Sequence, residues 1–210
     1  DALPILHACT AQIFVAVLAS LALSTTKTWR SLSSRLPDTD AATRLRWTAY
    51  ATLGLLYLQI VLGAVLRQFG HGIHGMYAAL HIAGALIVSG LIIATFVLIQ
   101  KHFDKYRGLN VSAWAMVLTL AAQFSLGLAA YVILVTDTAA STRSTLQVVL
   151  ASSHVLVGAV LMGTTTATTL LAARVQAPQR KVTEMLDDER SASGDHARQE
   201  PVLAPRSASK

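Results

Sequence analysis

The sequence predicts an all-α membrane protein with five transmembrane helices. Over half of its 210 residues are apolar (53%), and the charged residues fall between five long stretches that contain no Asp, Glu, Lys or Arg. A helix needs about 20 apolar residues to cross a bilayer core of roughly 30 Å, and each stretch is long enough. A soluble helix would show a polar face, which these lack. The stretches are residues 2–26, 47–66, 68–100, 108–136 and 144–173.

The placement of basic residues predicts the orientation of the chain. Eleven of the lysines and arginines up to Lys181 lie in the segments on one side of the predicted membrane, and only Arg67 and Arg143 lie on the other. This is the positive-inside pattern, so we expect the N-terminus outside and the C-terminus inside. The net charge of +6 is explained by topology, and no nucleic-acid partner is predicted.

The first span is predicted over residues 3–26, running inward, and the second over residues 45–66, running outward. Between them, residues 27–44 are polar and contain Pro37, which predicts an inner linker. The chain has neither an initiator methionine nor a signal-peptide pattern before its first span. Because a chain that starts outside needs help to insert, we expect further residues upstream.

Three more spans follow a short glycine-rich outer loop at residues 67–75. They are predicted over residues 76–100, 112–135 and 146–173. From residue 174 to residue 210 the composition changes to mixed charges with Ser, Ala, Pro and Gln, and few large apolar side chains remain. Such a segment buries too little surface to fold, so a disordered inner tail is predicted.

An internal repeat divides residues 45–173 into two equivalent helix pairs. In each pair a Gln-x-x-x-Gly helix is followed by a helix that carries a histidine and then a glycine. His7 extends the series, because His7, His81 and His154 are separated by 74 and 73 residues. All three lie near the outer end of inward-running spans. The repeated pairs are Gln59 and Gly63, Gln123 and Gly127, His81 and Gly84, and His154 and Gly158.

The paired histidines predict a haem site. An ionisable residue inside a membrane is costly and suggests function, and imidazole is a common axial ligand of haem iron. His81 and His154, at matching depth on equivalent helices, could bind one iron from both faces. A single membrane histidine would more often pack and hydrogen-bond, but the paired placement favours ligation.

The glycines and glutamines of the repeat allow two interpretations. Gly84 and Gly158 share a helix face with His81 and His154, where they could make room for a flat macrocycle. Small residues are also common wherever membrane helices approach closely, and glutamines often hydrogen-bond between helices. Taken alone, these residues favour the second interpretation.

Other polar residues near the outer end are weaker candidates. Arg67 could bind a haem propionate or anchor the helix end among lipid headgroups, with equal weight. His71 and His74 lie in the outer loop and are expected to be solvated. His7 has no partner within this chain.

Four motifs resemble the haem A synthase family, in matching order over residues 3–173. Leu3-Pro-Ile-Leu-His7-Ala-Cys-Thr-Ala-Gln12 resembles its fourth helix, and Gln59-Ile-Val-Leu-Gly63-Ala-Val-Leu-Arg67 resembles its fifth. His81-Ile-Ala-Gly84-Ala85 resembles the sixth. Ser153-His154 with Gly158-Ala159 resembles the eighth.

The resemblance implies half of an eight-helix, pseudo-symmetric fold in a bacterial cell membrane. Family members oxidise the C8 methyl of haem O to a formyl group, giving haem A for cytochrome oxidase. Residues 1–26 would be the last helix of the substrate half, with His7 facing the substrate haem. Residues 45–173 would be the C-terminal half, with His81 and His154 as axial ligands of haem b and Arg67 as a further cofactor contact.

The resemblance also implies partners and a missing part. The implied partners are the substrate haem O and membrane lipid. Further candidates are haem O synthase, the cytochrome oxidase assembly machinery and a second copy of the chain. The family's E-x-x-x-H motif, which supplies a required Glu, has no counterpart here. We therefore expect an oxidoreductase whose catalytic residues lie outside this chain.

Two other functions stay open. The first is a membrane haem b electron-transfer subunit, although histidines at a single depth disfavour a route across the bilayer. The second is a transporter or a structural bundle without cofactor, which would predict broken helices or polar residues at mid-membrane.

Overall fold

The computed structural model describes residues 2–31, 40–69, 75–136 and 144–174. The described residues form six helices and no strand, and five of these helices are long and apolar enough to cross a membrane. The predicted all-α membrane fold with five spans is thereby confirmed. The helices are α1 (Leu3–Ser24), α2 (Lys27–Ser31), α3 (Asp40–Phe69), α4 (Gly75–His102), α5 (Arg107–Thr136) and α6 (Thr145–Arg174).

The helix ends carry residues that suit them. Pro4 lies in the first turn of α1, where its missing N–H costs nothing. Thr26 caps α2, because its hydroxyl accepts a hydrogen bond from the backbone N–H of Trp29 at 3.1 Å. Asp40 stands in the first turn of α3, and Lys101 in the last turn of α4, each favourable to the helix dipole.

Two spans are longer than the apolar stretches that predicted them. Helix α3 begins at Asp40 and α5 at Arg107, and part of the predicted linker is helical. The extension of α3 packs, because Ala42 and Leu45 are fully buried. The rest of the predicted linker, the outer-loop residues 70–74 and the predicted tail from residue 175 lie outside the described residues.

Four helices form a closed ring in which each packs against its two neighbours. The pairs in contact are α3 with α4, α4 with α5, α5 with α6 and α6 with α3, and the two hairpins α3–α4 and α5–α6 pack most extensively. Helices α4 and α6 therefore lie on one diagonal of the bundle, with α3 and α5 on the other. Helix α1 packs outside the ring, against α3 and α6.

Helix α1 runs parallel to α6. The side chains of Val15 and Ala19 lie beside Gly163, and Leu23 packs against the buried cluster that includes Leu171. At an equal rise per residue, His7 on α1 therefore lies close to the level of His154 on α6.

Packing is uneven along the bundle. We call the end at which α3 and α5 finish and α4 and α6 begin the histidine end. Among the described residues of the ring helices, the last buried residues are Gln59 on α3 and Met116 on α5. The first buried residues are Val88 on α4 and Gly158 on α6. The two apolar core clusters thus occupy the middle and the opposite end, and the histidine end is loosely packed.

Candidate functional site

His81 is held by a glutamine of the preceding helix. Gln59 Nε2 on α3 donates a hydrogen bond to the backbone oxygen of His81 at 2.7 Å and lies 3.0 Å from the ring nitrogen Nδ1. Gln59 is buried and the imidazole is half-buried. A single amide therefore fixes both the backbone and the ring of this histidine.

His154 is held in the same way by the second helix pair, but through its other nitrogen. Gln123 Nε2 on α5 lies 3.1 Å from Nε2 of His154 on α6. The remaining ring nitrogen, Nδ1, is buried and has no hydrogen-bond partner. The two Gln–His pairs are equivalent in the repeat and differ in which ring nitrogen they use.

The glycines of the repeat make room for these polar side chains. A Cβ at Gly63 would lie 3.0 Å from His81 Cε1, and one at Gly127 would lie 2.9 Å from His154 Cε1. On the facing helices, a Cβ at Gly84 would collide with Oε1 of Gln59, and one at Gly158 would lie 3.2 Å from Nε2 of Gln123. Each glycine thus admits the polar side chain of the facing helix.

The two imidazoles belong to helices that face each other across the bundle. His81 lies on α4 and His154 on α6, which share a diagonal of the ring. Among the described residues, no group of three or more His, Cys, Asp or Glu side chains gathers. The candidate site therefore consists of two imidazoles, each beside a glutamine amide, on diagonal helices of an apolar bundle.

These residues fit an axial pair for haem. Both donors are imidazoles, the type that haem iron takes, and they stand at the loosely packed end of an apolar bundle. The side-chain oxygens Oε1 of Gln59 and Gln123 are buried without hydrogen-bond partners. In both pairs the amide nitrogen, not the oxygen, faces the ring, so each glutamine positions its imidazole and does not supply the acceptor that the other N–H of a metal-bound imidazole needs.

The other predicted site residues lie apart from this pair. His7 is exposed on α1, outside the ring, and Arg67 is exposed in the last turn of α3. Arg67 has no ion-pair or hydrogen-bond partner among the described residues, which leaves both predicted roles open. His71 and His74 lie outside the described residues.

Sequence reasoning missed what the glutamines and glycines contact. It treated Gln59 and Gln123 as general helix-to-helix hydrogen-bond donors, and each in fact bonds to a predicted ligand. It offered two roles for Gly84 and Gly158, room for a macrocycle or close helix packing, and favoured the second; in this structure both glycines accommodate the glutamines. The recurring order, Gln-x-x-x-Gly followed by histidine and glycine, was the available signal.

No protein-family model, curated protein or solved structure matches the chain. The resemblance based on the motifs accordingly stays a prediction.

Proposed function

We propose that the chain is the cofactor-bearing part of an enzyme of the haem A synthase type. In this proposal one haem b lies between α4 and α6, with His81 and His154 as its axial ligands. The observation that carries the proposal is the placement of two equivalent imidazoles on diagonal helices, at the loosely packed end of the ring.

The described residues have distinct tasks in this proposal. When bound, haem supplies a centre that accepts and gives up single electrons. The apolar faces of the four ring helices would exclude water from it, and the two imidazoles would hold its iron. Arg67, exposed at the histidine end of α3, is the basic group that would contact a propionate.

Helix α1 would belong to the substrate side. His7 is exposed and lies outside the ring, near the level of His154, so it is available to a second unit of the enzyme. Oxidation of the haem O methyl group would take place in that unit.

A membrane electron-transfer subunit is the second candidate. It is favoured by the fact that both predicted ligands lie within one closed ring of four helices, which requires nothing from α1. The two candidates differ in His7. A synthase should lose haem A formation in His7→Ala while keeping its haem b, whereas a carrier has no use for His7.

Absorbance spectra test the cofactor. The protein is purified from membranes with haem available, and reduced-minus-oxidised spectra are compared for wild type, His81→Ala and His154→Ala. We expect a low-spin b-type spectrum that each substitution abolishes or converts to high spin. The control is His102→Ala, at the exposed opposite end of α4, which should leave the spectrum unchanged. Well-folded wild-type protein without haem would exclude the proposal.

A further inference from the structure

A cavity opens where α3 begins and α4 ends, at the end of the bundle opposite the histidine end. Its volume is about 250 Å³, and it is lined by Asp40, Ala41, Arg44, Leu98 and His102. Ala41 and Leu98 pack against the buried apolar cluster at that end. Asp40, Arg44 and His102 are exposed. The cavity therefore has an apolar floor and an ionisable rim.

The polar groups of the rim are available to a ligand. Asp40 and Arg44 are one helical turn apart, a spacing at which opposite charges often pair. Neither side chain, however, has an ion-pair or hydrogen-bond partner among the described residues. The imidazole of His102 contacts only the ring of Phe103, edge-on, at 6.3 Å between centroids. The rim thus presents one carboxylate, one guanidinium and one imidazole.

The cavity lies at the boundary between polar and apolar sequence. The charge-free stretches of α3 and α4 are residues 47–66 and 68–100. Arg44 precedes the first stretch and His102 follows the second, whereas Leu98 lies inside it. In a bilayer, the rim is therefore at the level of the lipid headgroups, and the floor is at the level where the acyl chains begin.

A shallow groove continues from the floor toward the centre of the bilayer. Ala51 on α3 and Ala94 on α4 follow cavity-lining residues at spacings of seven and four residues, so they share helix faces with them. Both alanines are exposed. The contact between the adjacent Thr52 and Thr95 puts them at about the same depth. Two small side chains on neighbouring helices leave space for one extended acyl chain.

We propose that this cavity binds a phospholipid whose headgroup carries both a phosphate and a free ammonium group, as in phosphatidylethanolamine. Arg44 binds the phosphate, for which a guanidinium is well shaped, and His102 offers a further N–H. Asp40 binds the ammonium group, and one acyl chain passes Leu98 into the groove. The carboxylate disfavours a purely anionic headgroup, which it repels, and a choline headgroup, which has no N–H to donate.

Native mass spectrometry of the purified full chain tests the headgroup. Ethanolamine, choline and glycerol phospholipids with identical acyl chains are added in turn, and the bound lipid is quantified. Wild type should retain the ethanolamine lipid about two- to fivefold better than the choline lipid, as expected for one exposed ion pair. Asp40→Asn should abolish this preference, because it removes the partner of the ammonium group. Arg44→Gln should weaken binding of both lipids by a similar factor.

The chain offers matched controls. Asp104 and Arg107 are exposed at the same end of the bundle and do not line the cavity. Asp104→Asn and Arg107→Gln should therefore leave both the amount of bound lipid and the preference unchanged. Ala94→Leu, a change on the exposed surface, should weaken binding of the ethanolamine lipid by filling the groove.

The remaining outcomes would overturn the proposal. Equal retention of the ethanolamine and choline lipids by wild type would mean that Asp40 does not read the headgroup, and stronger retention of the glycerol lipid would mean a purely anionic site. Equal effects of Arg44→Gln and Arg107→Gln would reduce the rim to a general attraction for the bilayer surface. Displacement of the lipid by inorganic phosphate would indicate a site for free anions. None of these results depends on haem, because the cavity lies at the opposite end of the bundle.

Discussion

The side chain of Gln59 lies over Gly84 so closely that no other residue fits at that position without displacing it. A Cβ there would collide with the amide oxygen, and the equivalent contact joins Gln123 to Gly158. The glycine therefore makes room for the glutamine, and the glutamine contacts the histidine on the same helix as that glycine.

We expect Gly84→Ala to disturb the site through Gln59. The added methyl group would force the amide away from His81 and should cost about 1–3 kcal/mol, as overpacking of a well-fitted contact does. Haem affinity should fall together with stability. The control is Gly90→Ala on the same helix, where a Cβ meets nothing within 4 Å. That variant should be as stable as wild type or more stable by about 0.5–1 kcal/mol, because alanine loses less backbone entropy on folding than glycine does. Unfolding in mild detergent measures the stability of both variants. Equal losses of stability in Gly84→Ala and Gly90→Ala would contradict the contact between Gly84 and Gln59.

A pair of buried threonines should stabilise the α3–α4 hairpin modestly. The hydroxyls of Thr52 and Thr95 are 3.2 Å apart. Each also lies near a carbonyl of its own helix, at 2.7 and 2.8 Å, so their protons are shared between partners. A double-mutant cycle with Thr52→Val and Thr95→Val should give a coupling of about 0.6 kcal/mol, typical of hydrogen bonds between membrane helices. A coupling above about 2 kcal/mol would show that the two hydroxyls bond mainly to each other.

The short helix α2 should depend on a cation–π contact with the end of α6. The guanidinium carbon of Arg174 lies 4.1 Å from the ring centroid of Trp29, a contact worth about 0.5–1 kcal/mol at an exposed site. Arg174→Gln should therefore speed hydrogen exchange at residues 27–31, measured by mass spectrometry. Arg44→Gln, an exposed arginine on α3, should not. Unchanged exchange in Arg174→Gln would mean that the apolar packing of Trp29 suffices.

The orientation predicted from the basic residues can be measured with single cysteines. With the one native cysteine replaced, as in Cys9→Ser, a cysteine at position 144 should react with an impermeant maleimide added outside intact cells. A cysteine at position 104 should react only after the cells are opened. These expectations follow from the eleven basic residues up to Lys181 on one side against two on the other. Reversed labelling would place the histidine end on the inner face.

The apolar stretches predicted the five spans because lipid surrounds a membrane helix on every exposed face and favours apolar side chains on all of them. The ends were less predictable, since the first turns of α3 are stabilised by burial of Ala42 and Leu45, a tertiary effect without a local signature. The repeat predicted that His81 and His154 would be equivalent. It could not show that Gln59 faces Nδ1 and Gln123 faces Nε2, because the choice between two nitrogens of one ring leaves no trace in residue spacing.

The uneven packing of the bundle implies a gradient of local stability. Local opening requires the least free energy where few apolar contacts must be broken, so the histidine end should fluctuate open well before the opposite end unfolds. A molecule that binds at the histidine end would suppress these fluctuations and would raise exchange protection most strongly in the first turns of α4 and α6. The same looseness offers a way for a large flat molecule to enter from the bilayer without unfolding the ring.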